Sequence, residues 1–249
     1  SASHSAAGVN LLYKEPRPGE YTQYCQWFSH EQLPSEWNVL PDFQAAGGPE
    51  RLRDRFIAQG HVALRGVIPG WEQSGVKEML TRCYNEIYAG HTWVDSGQQD
   101  SFDRIFNLWE KSLLTRAVTL SRRFAFIAST LLGTDVIRLY QDSIFWKKPY
   151  DISTSWHVDA ASAPFSAHHR LLTMWCPLKD EDVATGALMY ANASHVGPFD
   201  LINTLDYRST FNKDTFEDGF VKEHYEIVAG GPRDSGSYNF GDCSFHTGL

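Results

Sequence analysis

The sequence predicts an α+β fold with a mainly β core: a sandwich or barrel of strands flanked by N-terminal helices. Two observations carry this. Apolar residues recur at helical intervals through the first half of the chain, and in the second half they fall into short β-branched and aromatic runs. Helices first and strands afterwards is the order expected of that class. The 249 residues make one large domain or two small ones, and 42% hydrophobic content is enough for a substantial core. Aromatics reach 14%, with eight Trp, which implies bulky core or pocket walls.

Residues 1–47 carry Pro, Gly and aromatics without a sustained period and read as an irregular arm, leaving 48–249 as a single domain. "PERLRDRFIAQG" (49–60) opens with Pro, closes with Gly and sets Leu52, Phe56 and Ile57 on one helical face. "HVALRGVIP" (61–69) follows as a strand. Residues 72–90 space Val76, Met79, Leu80, Cys83 and Ile87 as a helix does and again end in Gly. Residues 102–133 read as one broken helix or two. Strands are then expected in "DVIRLYQDSIFWKK" (135–148), "RLLTMWCPL" (170–178), "GALMYA" (186–191), "HYEIVAG" (224–230) and "SYNFGDCSFHTG" (237–248). There is no internal repeat and no low-complexity tract.

The charge balance excludes some functions. With 22 basic against 30 acidic residues, the net charge of −8 offers no basic footprint for nucleic acid or an anionic membrane. No apolar run approaches the ~18 residues of a membrane span, and no leader opens the chain, so a cytoplasmic location is expected. The cysteines Cys25, Cys83, Cys176 and Cys243 are scattered without a C-x-x-C pair. That rules out a zinc knuckle and a thioredoxin-like site, and reads as four reduced thiols. The "NAS" at Asn192 matches a glycosylation acceptor and is set aside for want of a secretory leader. The start without Met and the stop in "FHTGL" read as a fragment at both ends. Nothing in the sequence sets an oligomeric state.

Chemistry concentrates in "TSWHVDAASAP" (154–164). On a strand, His157 and Asp159 would point the same way, since side chains alternate faces. That is how one strand can give two ligands to one metal ion. A 2-His-1-carboxylate triad of this kind leaves open positions on a ferrous ion for a co-substrate and oxygen. Alone, H-x-D is a weak signal, and a solvent-facing strand explains it as well.

Its surroundings are more specific. "LLGTDVIRLYQD", "WKKP", "WHVDA", "LLTMWCPLKDED", "TGALMYANASH" and "FGDCSFHTG" occur in that order, after "FIAQGHVALRGVIP" and "FNLWEKS". This series, over about residues 52–249, resembles the phytanoyl-CoA dioxygenase family of Fe(II)/2-oxoglutarate oxygenases. The resemblance implies a double-stranded β-helix (jelly roll, cupin-like) with iron at its open end, and Fe(II), 2-oxoglutarate and O2 as cofactor and co-substrates. His157 and Asp159 take the first two ligand positions. Trp175 and Thr173, two apart on one strand, and Gln141 fall where related enzymes contact 2-oxoglutarate; barrel-interior packing is the other reading of these three. Ser194 and His195 would be structural.

The third ligand of the family is a histidine shortly after a "G-D-x-x-F" strand. His246 in "GDCSFHTGL" is one candidate. In the register of close relatives the ligand lies a few residues further on, beyond Leu249, and His246 packs beside the site. The Arg that pairs the far carboxylate of 2-oxoglutarate is expected further on still. The implied reaction decarboxylates 2-oxoglutarate to succinate and CO2 while oxidising a small organic substrate. Asp159 favours hydroxylation over halogenation, because halogenating relatives replace this carboxylate; desaturation and ring closure stay open. Small residues at Ala160, Ala161 and Ala163 hint at a wide pocket mouth, and His168, His169 and Arg170 at an anionic substrate group or merely a polar turn. A catalytically inactive jelly-roll binding relative is the alternative reading. A zinc hydrolase is weaker, lacking a partnered general base near the H-x-D pair.

Overall fold

The computed structural model describes residues 26–27, 47–70, 73–78, 103–111, 113–147, 156–162, 170–196, 225–229 and 237–248, with single residues 81, 85, 154 and 223. They fall into two compact units. The first takes residues 1–33, 75–129 and 134–152, and the second takes 34–74, 130–133 and 153–249. None of the described helices is long and apolar enough to cross a membrane.

In the first unit β1 (Gln26–Trp27) pairs antiparallel with β4 (Val136–Ile137), and β3 (Asp103–Phe106) with β5 (Ser143–Trp146). The helices are α2 (Leu108–Lys111), α3 (Leu113–Thr119) and α4 (Arg122–Leu132). The last residues of α4 belong to the second unit. Leu108, Phe124, Phe126, Ile127 and Ile144 are buried here. Asp142 holds the strand-to-helix corner: its carboxylate accepts the Trp109 N–H and the Thr119 hydroxyl. Residues 103–106 were expected to be helical. They are a strand because Ser143–Trp146 offers them a ladder, a non-local pairing that overrides local propensity.

The second unit carries the candidate site. Helix α1 (Pro49–Gln59) starts with Pro and ends at Gly60, whose φ of 80° is the left-handed helix cap that glycine favours. Leu52 and Phe56 are buried as expected, but Ile57 is 49% exposed. One residue of helix turns it ~100° past Phe56, off the buried stripe. Gly60 feeds β2 (His61–Leu64). A three-stranded antiparallel sheet follows in the order β2–β9–β6, with β9 (Cys243–Thr247) between β2 and β6 (Leu172–Trp175). β7 (Met189–Ala191) pairs separately with β8 (Ile227–Ala229).

The register gives the three-stranded sheet two faces. His61, His246 and Thr173 stand directly opposite one another across the strands, as do Ala63, Ser244 and Trp175. These six share one face, since partners across a ladder point the same way and alternate residues along a strand do too. Val62, Leu64, Leu172, Met174, Cys243 and Phe245 make the other. Continuing the register sets Cys176 against Cys243, and the two are joined in a disulfide with Cα atoms 4.5 Å apart. The reduced-thiol expectation is therefore wrong for this pair: residues 67 apart in sequence become cross-strand neighbours only once the sheet has formed. Cys25 and Cys83 lie outside the described residues.

The strands of the second half occur where expected, but shorter. "DVIRLYQDSIFWKK" holds two short strands rather than one, and "SYNFGDCSFHTG" forms strand only from Cys243. Asp242 accounts for the second shortening. Its buried carboxylate accepts the Gly66 and Asn239 N–H groups and pairs with Arg65, fixing a turn ahead of β9. Of the helix expected over 72–90, residues 73–78, 81 and 85 are described, and all are helical. The arm over 1–47 lies outside the described residues except for 26–27 and 47. The described strands form one three-stranded and three two-stranded sheets, an α+β arrangement.

Candidate functional site

His157 and Asp159 do not lie on a strand, as the sequence had suggested. Asp159 begins a 3-10 turn, Asp159–Ser162, and the Ala160 N–H donates to the Gly248 carbonyl rather than to a ladder partner. The two side chains still meet, with His157 Nε2 3.3 Å from Asp159 Oδ1. The turn therefore achieves what strand alternation was expected to do.

The other oxygen of Asp159 faces the polar side of the sheet. Oδ2 accepts the Thr173 hydroxyl of β6 and lies 3.2 Å from Nε2 of His246 on β9. Thr173 and His246 are direct cross-strand partners, so one register position delivers two donors to one oxygen. Behind them the Tyr190 hydroxyl of β7 lies 2.7 Å from Ser244 Oγ and 3.3 Å from His246 Nδ1. The Tyr190 ring stacks on His61 with centroids 4.5 Å apart, and Trp175 meets Tyr238 edge-on at 5.0 Å.

Electrostatics follow from this packing. Burial alone would raise the Asp159 pKa, but the hydrogen bonds from His157 and His246, the charge of His246 and the Thr173 hydroxyl outweigh it. They hold the carboxyl well below the usual carboxylate range, so it stays ionised. Burial pushes Tyr190 well above the ordinary tyrosine value, and Tyr238 up to about 12. Both hydroxyls keep their protons. Burial also pushes His61 down to about 4.

Of the residues singled out in the sequence, His157, Asp159, Thr173, Trp175 and His246 all belong to this unit, and three of them, His157, Thr173 and His246, converge on the Asp159 carboxylate. Trp175 lies on the same sheet face two residues from Thr173. Gln141 belongs to the other unit, where it is exposed just ahead of β5. His195 is structural: its Nε2–H donates to the Ile57 carbonyl at 2.8 Å, and its ring fills the space a Cβ at Gly60 would need. Ala160 is buried rather than at a pocket mouth. Arg170 is exposed, and Ala163, His168 and His169 lie outside the described residues. Sequence reasoning missed Tyr190, Ser244 and His61. The signal available for Ser244 was its i, i+2 spacing to His246 in "CSFHT", the same spacing that drew attention to His157 and Asp159.

Among the described residues no three His, Cys, Asp or Glu side chains stand around a common point as a cation would need. His157 and His246 instead each close on an oxygen of Asp159.

Comparison with known proteins sets this geometry in a family. The phytanoyl-CoA dioxygenase (PhyH) family model matches residues 56–234. No curated protein matches the chain. Among solved structures, the non-heme alpha ketoglutarate dependent epimerase SnoN from nogalamycin biosynthesis is similar at 25% identity and a TM-score of 0.58, over 80% of this chain and 72% of that one. The non-heme alpha ketoglutarate dependent carbocyclase SnoK from the same biosynthesis is similar at 19% identity and 0.59, over 89% and 77%. A complex of SnoN with Fe3+, alpha ketoglutarate and nogalamycin RO matches at 24% and 0.54, over 80% and 74%. The motif order from "FIAQGHVALRGVIP" onward, the H-x-D pair and the matched span agree: the chain belongs to the phytanoyl-CoA dioxygenase family of enzymes, which use Fe(II), 2-oxoglutarate and O2.

Proposed function

We propose that the chain oxidises a small organic molecule, by hydroxylation, while 2-oxoglutarate is decarboxylated to succinate and CO2. The single observation that carries this is Asp159, an ionised carboxylate with an imidazole nitrogen against Oδ1. The donor set fits the metal of the family: a carboxylate and a neutral imidazole are ligands that Fe(II) takes. His157 and Asp159 would hold it, as two of the three protein donors of such a site. Iron with 2-oxoglutarate and O2 supplies the oxidising power that removes hydrogen from a substrate.

The rest is the work of the chain itself. Thr173 anchors Asp159 from β6, and Trp175, on the same face, walls the place of the co-substrate with its ring braced edge-on against Tyr238. The polar face belongs, in this reading, to a jelly roll formed by residues 48–249. Retention of a carboxylate at Asp159 favours hydroxylation over halogenation. The two neighbours, an epimerase and a carbocyclase, extend the range of outcomes on a substrate of natural-product size to stereochemical inversion and ring closure.

The test is 2-oxoglutarate-dependent succinate formation with Fe(II) and O2. Wild type should form succinate, and His157→Ala and Asp159→Ala should each lose at least ~100-fold. Absence of succinate from wild type, or undiminished formation by His157→Ala, would overturn the proposal and favour a binding protein on an inherited fold.

A further inference from the structure

We infer that the Cys176–Cys243 disulfide is a redox switch on one end of the polar face: its reduction by a dithiol weakens 2-oxoglutarate binding and leaves metal binding at the other end unchanged. The inference rests on the proposal that Trp175 walls the place of the co-substrate, and names what regulates that wall.

The position of the bridge carries the argument. β6 and β9 are paired from Leu172↔Thr247 to Trp175↔Ser244. The bridge occupies the next position of the ladder, and there the backbone pairing stops. Pro177 follows Cys176 and has no N–H to give. On the facing strand the Asp242 N–H turns back to the Asn239 carbonyl, and the Phe240 N–H is taken by the Asp180 carboxylate. Pairing resumes in the same register at Glu181↔Tyr238, five residues past Cys176 and five before Cys243. The disulfide is the covalent tie at the edge of a gap in the ladder.

Trp175 and Tyr238 stand on opposite sides of that gap. Trp175 holds the last paired position before it and Tyr238 the first after it, and their rings meet edge-on at 5.0 Å. The brace lasts only while the two sides keep their spacing, which the bridge fixes. The metal end is placed differently. Thr173 and His246, which hold Asp159, lie three ladder positions from the bridge, roughly 10 Å along the strands, with paired residues between.

The bridge is also open to exchange from one side. Cys243 is fully buried, whereas Cys176 is half-buried, and accessible disulfides are the labile ones. A dithiol attacks Cys176 Sγ, the S–S bond breaks, a mixed disulfide forms at Cys176, and Cys243 leaves and takes a proton. The second thiol of the reagent then displaces Cys176, which leaves as a thiol. Two electrons and two protons pass from the dithiol to the cysteine pair, and the dithiol ends as its own disulfide.

The experiment measures 2-oxoglutarate affinity of the Mn(II)-loaded chain by anaerobic calorimetry, before and after reduction with dithiothreitol and its removal, on wild type and Cys176→Ala. Thiol labelling follows the bridge, electron paramagnetic resonance gives Mn(II) affinity on the same samples, and urea unfolding confirms folding. Reduction should weaken 2-oxoglutarate binding roughly 10-fold, within the ~5–150-fold usual for coupled sites, with Mn(II) affinity changed less than about threefold. Cys176→Ala should bind 2-oxoglutarate as weakly as the reduced wild type, with or without dithiol, which assigns the effect to this bridge rather than to Cys25 or Cys83. Coupling is reciprocal, so saturating 2-oxoglutarate should shift the dithiol equilibrium toward the intact bridge by the same factor of roughly 10.

Equal 2-oxoglutarate affinity of the oxidised and reduced chains, or a bridge that yields to dithiol only once the chain unfolds, overturns the inference and leaves the co-substrate reading standing. A dithiol effect that persists in Cys176→Ala overturns it too. An equal loss of Mn(II) affinity on reduction does the same, since the bridge would then tie the whole sheet. If the oxidised wild type takes up Mn(II) but no 2-oxoglutarate, the reading of Trp175 fails and the inference with it.

Discussion

The two faces of the β2–β9–β6 sheet are built from alternate residues of the same strands and do opposite work. On one, Val62, Leu64, Cys243 and Phe245 are at most 2% exposed and offer no polar side chain beyond a disulfide. On the other, His61 and Ser244 are also buried, yet together with Thr173 and His246 they make a hydrogen-bonded array around one carboxylate. Burial is common to both, and composition separates them. The apolar face stabilises through area and close packing. The polar face can lie inside the protein only because nearly every group has a partner, and the partners converge where chemistry is proposed. A protein holding both on five residues of β9 separates folding from function by a period of two.

The comparison breaks most visibly at Phe245. Phe245→Ala should cost about 3–5 kcal/mol through lost burial and the cavity left behind, read as a fall in the urea midpoint. Equal stability of this variant and wild type would show that the face is not the core of the unit. Next comes the bridge that closes the apolar face. Cys176→Ala removes a cross-link between residues 67 apart and should cost about 2–4 kcal/mol. The same variant should leave Mn(II) affinity within about threefold of wild type, since additivity holds for groups without shared partners.

The polar face can be sharpened with pH. His61 has a folded-state pKa of about 4 against the ordinary 6.5, held down by burial. As pH falls below about 6.5 the unfolded chain takes up the proton first, so stability is lost from there down to about 4 and is constant above. The loss attributable to His61 should be at most about 3 kcal/mol. His61→Phe, which keeps a ring against Tyr190 and removes a buried Nε2 without a hydrogen-bond partner, should flatten that part of the pH profile of the urea midpoint. An unchanged slope would assign the pH dependence to another group. Smallest is Ser244→Ala, which removes the hydroxyl hydrogen-bonded to Tyr190 and should cost about 1 kcal/mol by the same urea measurement.

What was legible in the sequence was local. Pro49 and Gly60 bounded a helix correctly because the capping preferences of those residues act within one turn. The H-x-D pair was found because two side chains that close in sequence meet in strand or turn alike; its setting, a 3-10 turn, was misread and the meeting survived. The missed features depend on register between distant segments. Residues 103–106 looked helical until 143–146 claimed them. Cys176 and Cys243 looked like unrelated thiols until β6 and β9 aligned. Tyr190 sat unnoticed in "GALMYANASH", where attention went to Ser194 and His195, because nothing within that stretch says that its hydroxyl reaches β9. His246 was visible as a residue, but its dependence on Thr173 and Asp159 was not.

The most direct test of the account is an anaerobic titration of the chain with Fe(II) and 2-oxoglutarate, watching the weak visible charge-transfer band of the chelated complex. Wild type should develop the band and His157→Ala should not. A wild-type chain without the band, or a His157→Ala chain that keeps it, would contradict the assignment of the Asp159 site as the iron centre.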